Sequence, residues 1–243
     1  IIDQGLVFFG GYASTLYGKY MPSKQRRQIK NIPDFDVLSE DPETSTILIK
    51  EKLNEIGYNK IKIVKRKPIG ELIAEHYEII VDKDTLCVIY KPLACHSYNT
   101  IKVNNKSVKV ASIDTMLSFY LAFLYANRPY LDKERLICMS QYLFVVQSKN
   151  RLKQKGLLKR FSINCYGKQD TMEDIRANKA IKFQELKNKR NSKEYEEYFL
   201  RYTPNEKKDQ KSKTKTKQTK RKTSKTNKTK KSTFNKIKKN LGL

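Results

Sequence analysis

Residues 9–14, FGGYAS, and residues 33–37, PDFDV, are the two stretches of sequence that decide the fold of this chain. The first follows a run of apolar residues that is typical of a buried strand, and it opens a helical pattern. Glycines between a strand and a helix remove side chains where backbone N–H groups approach a phosphate, and the helix N-terminus adds a favourable dipole. The hydroxyl of Ser14 can add a contact. We therefore predict that Gly10, Gly11 and Ser14 bind the phosphates of a nucleotide.

In the second stretch, two aspartates alternate with apolar residues. Residues two apart in a strand point to the same face, so Asp34 and Asp36 are expected side by side, with Phe35 and Val37 in the core. Two carboxylates held that close repel each other unless a divalent cation lies between them. Such a pair suits Mg²⁺ or Mn²⁺, which keeps several waters and completes its shell with substrate phosphates. The pair therefore predicts a metal-bound nucleoside triphosphate.

The pattern of apolar residues predicts an α+β fold in which a small mixed sheet is flanked by helices and followed by a helical unit. We place a catalytic domain at residues 1–110, a helical domain at 111–205 and a disordered basic tail at 206–243. Asp41 offers a helix N-cap with Pro42 at the first helical position. The predicted strands are 6–9, 35–38, 61–64, 76–81 and 86–90, and the predicted helices are 12–20, 42–56, 113–126, 132–147 and 172–202.

Positive charge is spread over the whole chain, whose net charge is +26. Residues 206–243 hold 16 Lys and Arg against Glu206 and Asp209, a net charge of +14, which leaves +12 for residues 1–205. The stretch 210–231 contains only Lys, Arg, Thr, Ser, Gln and Asn, so it has nothing apolar to bury. It is either an arm that grips RNA or a nuclear-import or solubilising tail. A cationic body together with a cationic tail favours a polyanionic partner.

Other compartments and partners are disfavoured by the sequence. No run approaches the roughly 20 apolar residues of a membrane span, and no secretory signal is visible. The cysteines are scattered without the C-x-x-C spacing of zinc or redox sites. We therefore expect no membrane partner, a cytoplasmic location and reduced, buried thiols at Cys87, Cys95, Cys138 and Cys165.

The glycine pair and the D-x-D strand resemble the nucleotidyltransferase superfamily, with its polymerase β-like fold, whose members share a G-G/S element followed by such a strand. Within it, residues 8–14 and 33–38 look most like the poly(A) polymerases of giant viruses, which are related to the poxvirus poly(A) polymerase catalytic subunit. Residues 110–123 are similar to the helix that follows that catalytic domain. The resemblance covers roughly residues 5–150, and the tail lies outside it.

The resemblance implies a viral polynucleotide adenylyltransferase that adds adenylates from ATP to mRNA 3′ ends, without a template and by a two-metal mechanism with Mg²⁺ or Mn²⁺. It also implies a location in a cytoplasmic viral factory or in the virion, and it leaves open a homodimer or a processivity subunit as partner. Those proteins resemble a pair of nucleotidyltransferase-like units in one longer chain. Because this sequence begins at Ile1, directly before a strand, we expect a fragment or a processed product.

The third carboxylate of the superfamily, which lies on a later strand, has no obvious counterpart here. Glu78, between apolar residues of a predicted strand, is our first choice, and Asp82 is the second. The strand predicted at 86–90 has no acidic residue. If the third position aligned with that strand, the chain would be a noncatalytic unit that binds RNA or a partner subunit.

A second departure from the family is the length of the segment between the two motifs. It runs from Tyr12 to Pro33 and is either a solvated loop or a basic loop that contacts triphosphate or RNA. The cations of this segment are Lys19, Lys24, Arg26, Arg27 and Lys30.

A small-molecule nucleotidyltransferase shares the two motifs. A small acceptor needs no long cationic surface, so the positive charge of this chain disfavours that function.

Overall fold

A computed structural model describes residues 1–20, 34–160 and 162–200. Residues Ile1–Leu200 form one compact unit, and the predicted boundary between two domains at residue 110 stays a prediction. The predictions for the spacer beyond residue 20 and for the tail at 206–243 lie outside the described residues. Among the described helices, none is both long enough and apolar enough to cross a bilayer.

Eight strands form one mixed sheet with helices on its flanks, which confirms the predicted α+β fold. The order of the strands across the sheet is β3-β4-β5-β2-β1-β7-β6-β8. The strands are β1 (Val7–Phe9), β2 (Phe35–Leu38), β3 (Ile61–Arg66), β4 (His76–Val81), β5 (Asp84–Tyr90), β6 (His96–Val103), β7 (Lys106–Ala111) and β8 (Cys165–Tyr166). The helices are α1 (Gly10–Tyr17), α2 (Pro42–Glu55), α3 (Ile113–Ala126), α4 (Lys133–Lys149), α5 (Met172–Leu186) and α6 (Lys193–Phe199).

The centre of the sheet is the short strand β1, whose three residues are all buried. It pairs antiparallel with β2 and parallel with β7, and β2 in turn pairs parallel with β5. Phe9 stacks on Phe119 of α3, with 4.6 Å between the ring centroids. The centre of the sheet therefore carries both sequence motifs, because β1 leads into the glycine pair, Asp36 lies on β2 and Asp34 directly precedes that strand.

Local capping explains where several helices begin. The Asp41 carboxylate accepts a hydrogen bond from the Thr44 N–H, with Pro42 at the first turn of α2 as predicted. The hydroxyl of Ser112 accepts from the Thr115 N–H at the start of α3. The prediction of one helix over 172–202 is wrong, because α5 ends at Leu186 and a separate helix, α6, begins at Lys193. The Ser192 hydroxyl caps α6 by accepting a hydrogen bond from the Tyr195 N–H.

The hairpin of β6 and β7 did not feature among the predicted strands. Its turn lies at Asn104 and Asn105, which have φ of +47° and +62°. Asparagine is one of the few residues that adopts positive φ, and two such residues in a row form the turn that matches the twist of a hairpin. The Asn-Asn pair between two alternating stretches was thus the signal for these strands.

Two of the four cysteines are not reduced thiols, contrary to expectation. Pairing of β6 with β8 places Ser97 opposite Cys165, and Cys95 and Cys165 form a disulfide with a Cα–Cα distance of 5.3 Å. Their separation of 70 residues in sequence hides this contact from any local pattern. Cys87 is buried and free, whereas Cys138 is free and exposed.

Candidate active site

The turn between β1 and α1 places the backbone of Gly10 against the carboxylate of Asp36. Gly10 has φ of +67°, a conformation that glycine adopts without steric strain. A Cβ atom at Gly10 would overlap the carboxylate of Asp36, which faces it because Phe9 and Asp36 are register partners in the sheet. The next backbone N–H, that of Gly11, lowers the pKa of the same carboxylate. The glycine pair thus creates the space that Asp36 fills.

Asp34 and Asp36 lie together in one cavity, as the alternation of the strand predicts. Burial first, and then the charge of Asp34, raise the pKa of Asp36 to about 8, against the weaker opposing effects of Arg135 and the Gly11 N–H. Burial also raises the pKa of Asp34, although the guanidinium of Arg135 opposes that shift. The Arg135 Nη2 atom lies 4.0 Å from Asp34 Oδ1. The pair therefore carries negative charge that its protein surroundings compensate only in part.

The cavity has a volume of about 260 Å³ and is partly open to solvent. One face of the sheet, formed by β2, β5 and β4, makes its floor. The walls come from α3, from the first turns of α4 and from the segment that joins these helices. Gly11 contributes to the lining, whereas Gly10 and Ser14 do not.

Ser14 has no access to this cavity because its side chain is fully buried. Its hydroxyl donates to the Gly10 carbonyl over 2.9 Å and shares a hydrogen bond of 3.2 Å with the Tyr120 hydroxyl. This arrangement ties the first turn of α1 to α3. The predicted phosphate contact of Ser14 stays a prediction.

Glu78 reaches the cavity from β4, two strands away from the aspartates. The register runs from Asp36 to Val88 on β5 and from Val88 to Glu78, so the backbones of the two acids lie about 10 Å apart. The Glu78 carboxylate accepts hydrogen bonds from Arg66 Nη2 over 2.8 Å and from the Thr85 hydroxyl over 2.7 Å. Burial raises the pKa of Glu78, but these hydrogen bonds and the charge of Arg66 outweigh burial and lower it.

Neither choice for the third carboxylate joins the aspartate pair. Asp82 is exposed at the turn of the β4–β5 hairpin, where its φ is +56°, and it does not line the cavity. Within residues 1–20, 34–160 and 162–200, no three His, Cys, Asp or Glu side chains cluster as metal ligands would. The catalytic role of Glu78 stays a prediction.

Three residues that line the cavity belong to no recognisable sequence motif. Arg135 comes from the first turn of α4, and Tyr130 from the segment before it. The guanidinium of Arg66 lies 5.1 Å from the centroid of the Tyr130 ring. Tyr130 itself is 51% exposed. An aromatic ring in the cleft is expected of a base-binding site, and Tyr130 lines this cavity together with Tyr90, Tyr120 and Phe123. Tyr17 of α1 is instead buried, and its hydroxyl donates to the Ala111 carbonyl.

The donor set fits a divalent cation held by two carboxylates. Mg²⁺ is commonly bound through one or two carboxylates, with waters and substrate phosphates as its other ligands. The raised pKa of Asp36 indicates that the pair lacks a full counter-charge. The cavity is partly open to solvent, as the entry of substrate phosphates requires.

Comparison with solved structures supports the fold. The chain is similar to the crystal structure of the Megavirus polyadenylate synthase, with a TM-score of 0.55 and 15% sequence identity. The similarity covers 75% of this chain and 38% of that one, so the chain spans well under half of the protein it resembles. The chain therefore shares the fold of that structure over the part that the similarity covers. No protein-family model matches the chain, and no curated protein matches it by sequence.

Proposed function

We propose that this chain is a metal-dependent nucleotidyltransferase that adds adenylates from ATP to the 3′ end of mRNA without a template. One observation carries the proposal: Asp34 and Asp36 share a solvent-open cavity with the Gly11 backbone, in the turn that Gly10 makes possible. The likeness in fold to a viral polyadenylate synthase supports the same chemistry.

The proposal gives the two aspartates, Arg135 and Tyr130 separate roles in the cavity. Asp34 and Asp36 would hold Mg²⁺ or Mn²⁺, with the Asp36 carboxylate packed against the backbone of Gly10. Bound cations would neutralise the triphosphate, favour ionisation of the attacking 3′ hydroxyl and stabilise the leaving pyrophosphate. Arg135 lies beside Asp34 and would add a positive charge for the phosphates, and Tyr130 would offer a ring on which a base can stack.

The acceptor in this proposal is RNA because the protein is strongly cationic. The net charge is +26 over 243 residues, and a polyanion that binds such a surface releases its condensed counterions. A second copy of the chain, a processivity subunit, and a location in a viral factory or virion remain expectations from the resemblance.

The test is incorporation of ATP onto an oligoadenylate primer in the presence of Mg²⁺ or Mn²⁺. The double variant Asp34→Ala, Asp36→Ala should lose at least about 100-fold in extension rate, since both ligands of the cation are removed. Asp84→Ala is the matched control because this exposed aspartate lies in the β4–β5 hairpin, outside the cavity. Undiminished extension by the double variant would contradict the proposal.

A second candidate is a noncatalytic nucleotidyltransferase-like unit that binds RNA or a partner subunit. The observation that favours it is Val88, an apolar residue at the sheet position beside Asp36 where a third carboxylate could lie. The two candidates differ in ATP binding. A noncatalytic unit binds RNA in a salt-sensitive way but shows no metal-dependent affinity for ATP.

A further inference from the structure

The segment that follows α4 concentrates positive charge outside the cavity. Between residues 149 and 160 the chain has no acidic residue. Positive side chains recur at nearly every second position. They are Lys149, Arg151, Lys153, Lys155, Lys159 and Arg160.

This basic segment (residues 149–160) is anchored through its backbone. The buried amide of Asn99 on β6 donates hydrogen bonds to the carbonyls of Leu157 and Lys159, over 3.4 Å and 3.0 Å. The buried amide of Asn150 donates to the Val146 carbonyl over 2.9 Å. Leu157 is itself buried. The cations are thus displayed from a fixed loop.

Four of these charges face solvent without a partner carboxylate. Arg151, Lys153, Lys155 and Lys159 are exposed. Across residues 1–20, 34–160 and 162–200, no carboxylate lies within ion-pair distance of any of the four. Like charges held close together repel, and a polyanion that contacts them relieves that repulsion and releases its own counterions.

The helix α4 connects this segment to the cavity. Arg135 in its first turn lies at Asp34, and Lys149 is its last residue. At 1.5 Å per residue, these two positions are about 21 Å apart along the helix axis. A single strand with its 3′ end at the aspartates would reach the basic segment several nucleotides upstream.

We propose that residues 149–160 bind the phosphate backbone of the RNA acceptor upstream of its 3′ end. The identity of the bound strand as the acceptor rests on the proposed function. Binding of RNA to the segment does not, because it requires only the cations and their fixed backbone.

Binding of a labelled oligoadenylate, measured by fluorescence anisotropy in EDTA over a range of salt concentrations, tests the segment. The test variant is Arg151→Gln, Lys153→Gln, Lys155→Gln, Lys159→Gln in the full chain. Each lost contact to a single strand should reduce the slope of log K against log salt by about 0.7, so the slope should fall by up to about 3 and the affinity by about tenfold or more. The matched control replaces four exposed lysines by Gln at the opposite edge of the sheet, near β3 and in the β4–β5 turn. They are Lys60, Lys62, Lys67 and Lys83. A smaller change in slope is expected of the control.

A salt slope equal to that of the wild type, or equal to that of the control variant, overturns the proposal. So does a test variant that loses affinity for phosphatidylserine vesicles while it keeps its affinity for RNA. Equal thermal melting of the variant and the wild type, expected because all four side chains are exposed, excludes unfolding as the cause of lost affinity.

Primer extension separates this proposal from the proposed function. The test variant should show a raised KM for a long primer, an unchanged kcat and unchanged extension of a trinucleotide. If the wild type extends no primer, the proposed function fails, whereas a segment-dependent salt slope still supports RNA binding at residues 149–160. If the wild type extends primers and the test variant does so with the same KM, the basic segment is not part of the acceptor site.

Discussion

Val88 on β5 and Asp36 on β2 are register partners in two parallel strands. The same valine is also the partner of Glu78 on β4. An apolar side chain therefore separates the aspartate pair from the nearest acid on the sheet. That acid is already engaged by Arg66 and Thr85.

Replacement of Val88 by Asp should build a third carboxylate into the site. Without metal, the added charge beside Asp36 should lower the free energy of unfolding by about 1–3 kcal/mol. Mn²⁺ should restore most of that loss, because three carboxylates bind a divalent cation more tightly than two. Thermal melting of Val88→Asp and of the uncharged control Val88→Thr, each with EDTA and with Mn²⁺, measures both effects. Equal destabilisation with and without Mn²⁺ would argue against a cation site at Asp36.

Asp36 should make the metal-free protein less stable at alkaline pH. Its pKa is about 8 in the folded protein against an ordinary value of 3.8, so the folded state holds a proton that the unfolded state releases. The stability from this proton is fully present below about pH 4 and is lost as pH rises towards about 8. Urea unfolding in EDTA at several pH values should therefore show a decline over this range. The decline should be shallower in Asp36→Asn, and a slope equal to that of the wild type would contradict the assignment.

Gly10→Ala should damage both the turn and the site. A side chain at φ of +67° is strained by about 1–2 kcal/mol, and its Cβ would push the Asp36 carboxylate away. We expect extension to fall at least about tenfold, since misplacing a reacting group is costly. Gly57→Ala is the matched control, because Gly57 also has positive φ but a Cβ there would meet nothing within 4 Å. Equal extension by the two variants would show that the contact with Asp36 is unimportant.

Tyr130 should contribute to nucleotide affinity through its ring. Stacking contributes roughly 1–3 kcal/mol per base in single-strand sites, so Tyr130→Ala should raise the KM for ATP by about 5-fold or more. Tyr130→Phe keeps the ring and should change the KM little. Tyr58→Ala, at a tyrosine that is also about half exposed (49%) but lies away from the cavity, controls for loss of a surface aromatic. An unchanged KM in Tyr130→Ala would remove the ring from the site.

Glu78→Gln distinguishes the two parts that Glu78 could have. If the carboxylate acts only by holding Arg66 against Tyr130, the KM for ATP should rise while kcat changes by less than about tenfold. If it is the third catalytic carboxylate, kcat should fall by about 100-fold or more. The kinetic constants for ATP at a saturating primer concentration measure the difference. Arg66→Gln should share the first pattern and not the second.

Local sequence patterns predicted the parts of the site that lie within one strand or one turn. The alternation that places Asp34 beside Asp36 is a property of a single strand, and the need for glycine at residue 10 follows from the turn between β1 and α1. The same is true of the Asp41 cap of α2, which depends on neighbours three residues away.

Local patterns could not predict contacts between segments that lie far apart in the sequence. Arg135 and Tyr130 lie about 100 residues after the aspartates, and no motif marks them. The burial of Ser14 against Tyr120 depends on how α3 packs over the sheet, and its local sequence resembles that of a phosphate-contacting serine. The Cys95–Cys165 bridge arises from the pairing of β6 with β8, whose two residues of strand are too few to give a pattern.

The buried hydroxyl of Ser14 has a mechanical consequence. Through the Gly10 carbonyl on one side and Tyr120 on the other, it fastens the turn that carries the glycine pair to α3, which forms one wall of the cavity. The backbone against which the Asp36 carboxylate lies is therefore tied to α3 by a hydrogen bond. By contrast, Arg135 of α4 meets Asp34 at 4.0 Å, without a close hydrogen bond.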